Sequence, residues 1–597
     1  MNAQPPMDLA GQPPRHSGVN KDWLRALQLT SRIEDAPRRT LAVAFDDVAA
    51  MRGDAVALLS ARENFSFREL AERANRYARW ALAHRLEKGD AVCLALDNRA
   101  DYVAIWLGLT RVGVVVALLN TNLPKASLAL CVRAAKALHV IVGAEHHDAC
   151  ANAFSDAGLA LAIHRHGEGM GVEGLSGARL TEFEARDVTL DDRALYIYTS
   201  GTTGLPKAAI VTHRLVMNWC LWFAGLANIG PDDRMYNCLP MYHSIGGVVA
   251  VWSVLLAGGS VVLRERFSAS RFWDDVVARD CTLFQYIGEL CRYLVNTPPC
   301  EAETKHRLRL CIGNGLRLDV WKRFEARFHI PRILEFYAAT ESNFSLYNVE
   351  GEPGAIGRVP AFLAHRFQTA IVEFDIEREQ AARDGDGRCI RRGVDEIGEV
   401  IARIETRNGA AGSNFEGYLN RAESEKKILR DVFEPGDAWM RGGDLMKKDA
   451  RGFYYFVDRI GDTFRWKGEN VSTFEVAQII SVCPGVIDAN VYGVEVAGHD
   501  GRAGMAALAV DASFDLAAFR RHIDETLPAY ARPIFLRLRE SLEITETFKH
   551  KKQTLAAQGF DPRGIDETLW FAEPWRDKYV RIDAALHARI VAGEFRL

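Results

Sequence analysis

The 597-residue sequence lacks the cysteine patterns of metal sites and disulfide frameworks, because its 11 cysteines are scattered and form no CxxC pair. In a chain of this length, scattered cysteines indicate free thiols in a reducing compartment, and we assign no zinc site. A strong excess of either charge is also lacking, since the formal net charge is −4. Such a small net charge gives no indication of a nucleic-acid partner.

An apolar core is also lacking in the first residues, which are Pro-rich and polar, and we therefore expect neither a signal peptide nor a membrane anchor there. We interpret residues 1–40 as a disordered tail. The stretch 246–263 is uncharged and long enough to suggest a membrane span, but Gly258 and Gly259 interrupt it. A buried helix over 246–257 followed by a strand over 260–263 is the favoured interpretation. We therefore expect a cytoplasmic protein, and peripheral contact with the inner face of a membrane stays an open alternative.

The composition, 48% apolar and 25% charged, is typical of a soluble globular enzyme. From residue 91 onward, apolar strands alternate with helices, with strands at 91–97, 114–119 and 139–142 and helices at 101–112 and 124–137. This alternation predicts an α/β fold whose parallel-rich sheets are covered by helices. Residues 397–457 are β-rich, and a separate α/β pattern follows them. We expect a large N-terminal domain over 41–458, a hinge at 459–462 and a small α+β C-terminal domain over 463–597.

A loop between two apolar runs, 194–198 and 208–211, combines two glycines, four hydroxyls and one lysine. Glycines let the backbone approach anionic oxygens, hydroxyls donate hydrogen bonds and the lysine supplies a point charge. The loop is not a Walker A loop, because Pro206 precedes the lysine and strands flank it on both sides. An ordinary polar hairpin turn is the alternative. The candidate polyphosphate ligands are Thr199, Ser200, Gly201, Thr202, Thr203, Gly204 and Lys207.

A second candidate site follows a short apolar run over 333–336. Tyr337 can stack on adenine, Thr340 can bond the α-phosphate, and Glu341 can hold Mg²⁺, a hard cation that takes oxygen ligands. In isolation, the alternative is a strand end with a solvated glutamate.

The full loop string resembles the signature of the adenylate-forming superfamily, and residues 337–341 resemble its aromatic-Gly-x-Thr-Glu motif, with Ala338 in place of glycine. The resemblance implies a mobile C-terminal domain and further roles for matching residues. Asp444, in a Gly-Gly-Asp string where relatives have Thr-Gly-Asp, would bind the ribose hydroxyls, and Arg459 would contact ribose or phosphate. The remaining implied residues are His243 at the acyl carboxylate, Gly313, Asn314 and Gly315 beside adenine, Lys549 as catalytic lysine, and Thr202 with Glu341 at Mg²⁺.

Four further stretches, 267–273, 285–293, 461–470 and 530–533, resemble the fatty acid transport protein and very-long-chain acyl-CoA synthetase family. The resemblance runs from about Phe65 to the C-terminus. In that family the lysine loop also carries an aromatic residue before the lysine, which supports Lys549 after Phe548. Many animal relatives carry an N-terminal membrane segment, which this sequence does not show.

The resemblance implies that a fatty acid and ATP form acyl-AMP, which then reacts with CoA, and that Lys467, Gly468 and Glu469 serve the CoA step. Three alternatives stay open. The first is an acyl-AMP ligase that loads a carrier protein, and the second is a CoA ligase for bile, other cyclic or aromatic acids. The third is a fatty-acid uptake protein that needs no catalysis. Chain length, saturation and oligomeric state are not specified by the sequence.

Overall fold

The computed structural model describes residues 18–167, 169–200, 206–342, 344–405, 415–499, 501–544, 551–574, 578–595 and 597. The α-helices of this part are α1 (Val19–Ser31), α2 (Leu41–Arg52), α3 (Phe67–Ala83), α4 (Ala100–Arg111), α5 (Lys125–Ala135), α6 (His147–Asp156), α7 (His213–Leu226), α8 (Ala250–Leu255), α9 (Phe272–Ala278), α10 (Gly288–Asn296), α11 (Leu318–Phe328), α12 (Arg421–Glu425), α13 (Thr473–Ser481), α14 (Leu516–Thr526), α15 (Gln553–Gln558) and α16 (Ala584–Val591). The strands are β1 (Val56–Leu59), β2 (Asn64–Ser66), β3 (Ala91–Ala95), β4 (Val115–Leu118), β5 (His139–Val142), β6 (Ala162–Arg165), β7 (Arg193–Ser200), β8 (Pro206–Thr212), β9 (Arg234–Asn237), β10 (Ser260–Leu263), β11 (Leu283–Ile287), β12 (Leu310–Asn314), β13 (Ile333–Ala338), β14 (Ser345–Asn348), β15 (Gly357–Arg358), β16 (Thr369–Val372), β17 (Phe374–Asp375), β18 (Gln380–Ala381), β19 (Gly398–Arg403), β20 (Ile428–Arg430), β21 (Ala438–Lys448), β22 (Phe453–Arg459), β23 (Phe464–Trp466), β24 (Glu469–Val471), β25 (Val486–Val494), β26 (Ala503–Val510), β27 (Phe535–Arg539), β28 (Thr568–Ala572) and β29 (Tyr579–Arg581).

Three large sheets organise these strands. A six-stranded sheet has the order β6-β5-β3-β4-β7-β8, parallel except for the antiparallel β7–β8 pair. A 14-stranded sheet contains the parallel strands β1, β10, β9, β11, β12 and β13, with β2 antiparallel to β1. Beyond β13 it continues through antiparallel pairs into β14, β15, β22, β21, β19 and β16, with β20 beside β21. A five-stranded sheet, β25 to β29, lies near the C-terminus. The predicted α/β fold with parallel-rich sheets is confirmed.

The predicted strand and helix alternation agrees with the structure to within about two residues per boundary. Strand β4 is buried along its whole length, and β3 and β5 are buried except at their first residues. Apolar runs of this kind are typical of parallel strands covered on both faces. All 11 cysteines are free thiols, and only Cys300 is exposed.

The uncharged stretch 246–263 folds into a buried π-helix (Ser244–Val249), α8 and β10. Two glycines of the π-helix pack directly against backbone. A Cβ at Gly246 would lie 2.4 Å from the Pro240 carbonyl oxygen, and a Cβ at Gly247 would lie 2.0 Å from the Met241 carbonyl oxygen. In the part of the chain that the structure describes, no helix combines the length and apolar character needed to cross a bilayer.

The prediction of a disordered tail over 1–40 is wrong for residues 18–40, since α1 is an ordered helix and α2 begins at Leu41. Trp23 is 2% exposed, and its ring packs edge-on against Trp222 of α7 at a centroid distance of 5.9 Å. The buried Asp22 forms ion pairs with Arg25 and Arg332 at 3.0 Å each. Tertiary packing of one helix face therefore orders a segment whose composition is polar.

The segment that joins β22 to β23 contains the expected hinge at 459–462. Gly461 has φ +91° in open surroundings, a conformation that favours glycine. Asp458 precedes this segment, and its Oδ2 accepts hydrogen bonds from the backbone N–H (2.6 Å) and hydroxyl (3.0 Å) of Thr473, which follows it. The Lys552 ammonium donates to Thr473 Oγ1 and Asp462 Oδ2 at 2.6 and 3.1 Å. The domain bounds themselves stay a prediction.

Candidate functional site

The carboxyl ends of β11, β12 and β13 meet at one edge of the 14-stranded sheet, where α/β proteins bind ligands. Gly313 stands between Tyr286 and Glu335 in register, and a Cβ on it would lie 2.4 Å from the Tyr286 carbonyl. Gly315 has φ +78°, so the loop after β12 turns sharply. Between the two glycines, Oδ1 of Asn314 is buried without a hydrogen-bond donor among the described residues. This loop therefore offers a flat backbone wall and one available acceptor.

Glu335 holds this wall in place and was not singled out from the sequence. Its Oε2 accepts a 2.5 Å hydrogen bond from the Tyr286 hydroxyl, and its Oε1 accepts one of 3.0 Å from the backbone N–H of Leu316. Burial raises the pKa of this carboxyl to about 7. A charged residue inside the apolar run 333–336 was the sequence signal that could have identified it.

Tyr337, at the end of β13, contacts the strand that carries Asp444. Its hydroxyl donates a 2.6 Å hydrogen bond to Oδ2 of Asp444, and Arg459 lies opposite Asp444 in the β21–β22 register with Nε 3.9 Å from Oδ1. Burial, with the Asp444 charge, raises the pKa of Tyr337. A Cβ at Gly442 would lie 2.7 Å from Cγ1 of Val400, so close packing of β19 accounts for glycine there. Ala338 is exposed at the strand end.

Thr340 lies beside the segment that carries His243. The hydroxyls of Thr340 and Ser244 are hydrogen-bonded at 3.2 Å, and His243 directly precedes the π-helix that Ser244 begins. The His243 ring packs on Tyr242 at a centroid distance of 4.6 Å. Asn98 fixes this segment through its amide, which donates to the Leu239 carbonyl and accepts from the Met241 N–H. Asn98 is a further residue that sequence reasoning missed.

Strands flank the candidate phosphate loop on both sides, as predicted, and β7 and β8 pair antiparallel with Thr199 opposite Lys207. The Lys207 ammonium lies 2.5 Å from Oε2 of Glu423 and 5.9 Å from the ring centroid of Tyr418. Residues 201–205 lie outside the described residues, and so do the predicted ligands Gly201, Thr202, Thr203 and Gly204. The side chain of Ser200 is likewise not described.

Segment 415–427 contacts both Lys207 of the candidate phosphate loop and Glu341 of the second candidate site. Backbone hydrogen bonds join it to β8, from Ile210 to Gly417 and from Leu419 to Ala208. Lys427 Nζ lies 3.5 Å from Oε1 of Glu341. Burial and the neighbouring Glu341 carboxylate raise the pKa of Tyr418, which also contacts Lys207. Sequence reasoning did not identify this segment, because its local pattern shows only a polar turn.

The candidates of the C-terminal part follow β22 in the chain. Lys467 and Gly468, at φ +54° and +82°, form the two-residue turn between β23 and β24, and both are exposed with Glu469. The neighbouring Arg465 forms an ion pair with Glu377 at 2.6 Å. Lys549 lies outside the described residues, whereas Lys552 contacts the hinge segment as described above.

The chemistry of the combined site suits a nucleoside triphosphate. A carboxylate on Asp444 can accept two hydrogen bonds from a vicinal diol, Tyr337 presents a ring, and the glycine wall admits a flat base. Glu341 supplies carboxylate oxygens that fit Mg²⁺. Thr340 contacts Ser244, the neighbour of His243, and Glu341 and Lys207 both contact segment 415–427.

Comparison with known proteins adds independent findings. The profile of the AMP-binding enzyme family matches residues 45–386. Long-chain fatty acid transport protein 1 of Mus musculus is 40% identical over 573 residues, covering 94% of this chain and 88% of the relative. Long-chain fatty acid transport protein 2 of Rattus norvegicus is 37% identical over 591 residues, covering 96% and 94%.

Two solved structures show the same fold. ATP-bound MatB from Rhodopseudomonas palustris matches with a TM-score of 0.73 at 24% identity, covering 87% of this chain and 98% of that one. The anthranilate CoA ligase AuaEII in complex with anthranoyl-AMP matches with a TM-score of 0.74 at 20% identity, covering 88% and 98%.

Proposed function

Because the chain belongs to the AMP-binding enzymes and, among them, to the fatty acid transport protein and very-long-chain acyl-CoA synthetase family, we propose that it is an ATP-dependent long-chain or very-long-chain fatty acyl-CoA synthetase. The substrates are a fatty acid, ATP and CoA. The observation that supports this proposal best is a set of contacts that link the candidate residues: Tyr337 contacts Asp444, Thr340 contacts Ser244, and Glu341 and Lys207 both contact segment 415–427.

In the first half-reaction, a fatty-acid carboxylate oxygen attacks the α-phosphorus of ATP. The bond from the α-phosphorus to the bridging oxygen breaks, and acyl-AMP and pyrophosphate form. Negative charge accumulates on phosphate oxygens, and fixed cations and dipoles that stabilise it lower the barrier. We assign the β- and γ-phosphates to the 199–207 loop, the α-phosphate to Thr340 and Lys549, and the acyl carboxylate to His243. Mg²⁺, held by Glu341 with Thr202, would neutralise phosphate charge.

The adenosine part is assigned to the other residues of the site. Tyr337 stacks on adenine against the wall of Gly313, Asn314 and Gly315, and Asp444 binds the ribose hydroxyls with Arg459 beside it. Ala338 and Gly442, which depart from the family pattern, line the same part of the site.

In the second half-reaction, the CoA thiolate attacks the acyl carbon, the acyl–phosphate bond breaks and AMP leaves. We assign this step to Lys467, Gly468 and Glu469 after a rotation of the C-terminal domain about residues 459–462. Closure excludes water from the mixed anhydride.

The test is pyrophosphate and AMP release across acids from medium to very long chain, with and without CoA. We expect pyrophosphate release with long-chain acids, AMP release only when CoA is present, and loss of both in Glu341→Gln. Glu352→Gln, which removes a half-buried carboxylate paired with Arg451, is the matched control. If no acyl chain supports turnover, the substrate assignment is wrong, and ATP calorimetry then tests the nucleotide site separately.

A second candidate, fatty-acid uptake without catalysis, is favoured by the name "fatty acid transport protein" of the relatives. It predicts that cells expressing Lys549→Ala still take up a fluorescent fatty acid as fast as cells with the native protein. Uptake that falls together with synthetase activity would contradict it. AMP release that needs a carrier protein instead of CoA would support the acyl-AMP ligase alternative, and bile or other cyclic acids belong in the same acid panel.

A further inference from the structure

Arg292 lies on α10, within the sequence stretch 285–293, and contacts the C-terminal region. Its side chain is only 5% exposed. Its Nη1 donates a 2.7 Å hydrogen bond to the carbonyl of Ile487, and its Nη2 lies 3.3 Å from Oδ2 of Asp488. Ile487 and Asp488 belong to β25, the first strand of the five-stranded sheet. This contact therefore crosses from the large sheet region to the C-terminal region.

Arg292 has two carboxylate partners of different kinds. Glu289, one turn earlier on the same helix, accepts a 2.7 Å hydrogen bond from Nε of Arg292. Asp488 lies on a different element, and its side chain is 8% exposed. A rotation that carries β25 away would remove Asp488 and the Ile487 carbonyl but leave Arg292 paired with Glu289. Breaking a buried ion pair is costly when it leaves a buried charge without a partner. Glu289 would prevent this for the guanidinium of Arg292.

Another ion pair connects the same two regions at the surface. Arg465 and Glu377 lie 2.6 Å apart, with side chains 40% and 57% exposed. Exposed pairs contribute little to stability because water screens them. Among these two connections, the buried Arg292 contact is the one expected to affect how the C-terminal domain is oriented.

We propose that Arg292 is a positioning residue that stabilises one orientation of the C-terminal domain through Asp488 and Ile487. The proposal rests on the proposed function, in which that domain takes different orientations in the two half-reactions. In the described orientation the turn with Lys467, Gly468 and Glu469 is exposed, and we assign this orientation to adenylation. The contact therefore favours adenylation over thioester formation.

The first experiment compares half-reactions in Asp488→Asn, which removes the charge but keeps an oxygen acceptor. We expect the rate of pyrophosphate exchange, relative to thioester formation from supplied acyl-AMP, to fall by about fivefold, the lower end of typical coupling between sites. Arg292→Lys, which keeps the charge but loses the forked geometry, should shift the ratio in the same direction. Glu377→Gln, which removes the exposed pair across the same regions, should leave the ratio unchanged.

The second experiment does not depend on activity. Hydrogen exchange of the backbone amides over 486–489 and 459–463 should become faster in Asp488→Asn and Arg292→Lys than in the native protein or Glu377→Gln, with no change in the six-stranded sheet. An unchanged exchange pattern in both variants overturns the proposal, whether or not the protein is a synthetase. Faster exchange with an unchanged ratio of half-reactions, or an equal loss of both half-reactions, also overturns it, because Arg292 would then be only a structural link. Absence of pyrophosphate exchange in the native protein contradicts the proposed function instead.

Discussion

Tyr337 and Asp444, 107 positions apart in the sequence, are joined by a hydrogen bond of 2.6 Å from the tyrosine hydroxyl to the aspartate carboxylate. Through this bond Tyr337, which we assign to adenine, orients the carboxylate of Asp444, which we assign to ribose. Two separate sequence motifs thereby form one nucleoside-binding unit.

Tyr337→Phe tests this unit. Removing a hydrogen bond to a charged group costs on the order of 1.5–3 kcal/mol, so we expect the KM for ATP to rise by about tenfold with a smaller change in kcat. Tyr455→Phe, which removes a tyrosine–aspartate contact of 3.3 Å to Asp449 elsewhere, is the control. Equal ATP affinity in both variants would contradict the orienting role.

Lys549→Ala should abolish acyl-AMP formation, because it removes the cation assigned to the α-phosphate, yet spare thioester formation from supplied acyl-AMP. Both half-reactions are measured separately. Lys551→Ala is the matched control, since Lys551 lies 3.6 Å from Glu543 and has no assigned role. Loss of both half-reactions to the same extent would reject this division between lysine loop and CoA-step residues.

Gly461→Ala tests the hinge. Gly461 has φ +91° and nothing within 4 Å of a built Cβ, so alanine adds only backbone strain, on the order of 1 kcal/mol. We expect the ratio of CoA step to pyrophosphate exchange to fall severalfold. Gly452, at φ +87° and equally open, provides the control Gly452→Ala, which should strain a turn and leave the ratio alone. A ratio that Gly461→Ala does not change would place the rotation elsewhere.

Glu335 predicts a pH dependence of stability. Its folded-state pKa is raised from 4.5 to about 7, so the native state keeps a proton that the unfolded state releases between these values. The stabilisation is full below pH 4.5 and is lost as the pH rises towards 7. Glu335→Gln should remove this trend, on the order of 2 kcal/mol, in thermal unfolding compared at pH 5 and 8. The exposed-site variant Glu301→Gln should follow the native profile, and an unchanged profile in Glu335→Gln would be contrary to expectation.

Trp23→Ala tests whether α1 is part of the folded core. Removing a buried tryptophan costs about 3–5 kcal/mol, because a cavity remains. Leu24, on the same helix, is 49% exposed, and Leu24→Ala should change the free energy of unfolding by about 0.5 kcal/mol or less. Chemical denaturation measures the free energy of unfolding of both variants. If Trp23→Ala changes it as little as Leu24→Ala does, α1 is not part of the folded core.

Local patterns were sufficient to predict much of the α/β fold. Buried strands such as β4 are runs of apolar residues, and helices alternate with them along the chain, so the order of the elements was visible in the sequence. The π-helix was not predictable, because it depends on Gly246 and Gly247 packing on carbonyls of a preceding segment. Helix α1 was missed because its burying partner, α7, lies about 200 positions later.

The candidate site shows the same limit. Motifs identified Tyr337, Glu341 and Asp444, whereas Glu335, which holds the glycine wall, and Tyr418, which contacts Lys207, act through contacts between residues far apart in the sequence. Glycine at 442 is explained by a neighbour distant in sequence, because a Cβ there would lie 2.7 Å from Cγ1 of Val400. Long-range neighbours of this kind leave no local periodicity for a sequence argument to use.

The bonds between Asp458 and Thr473 bear on how any hinge motion proceeds. The two residues lie on either side of 459–462, and Asp458 is only 2% exposed. A rotation that carried α13 away would have to break every one of these bonds at once and expose the carboxylate to water. Orientation change would then be a discrete, barrier-crossing exchange between two populations, and a single-molecule distance distribution across the hinge should be bimodal and not a broad continuum.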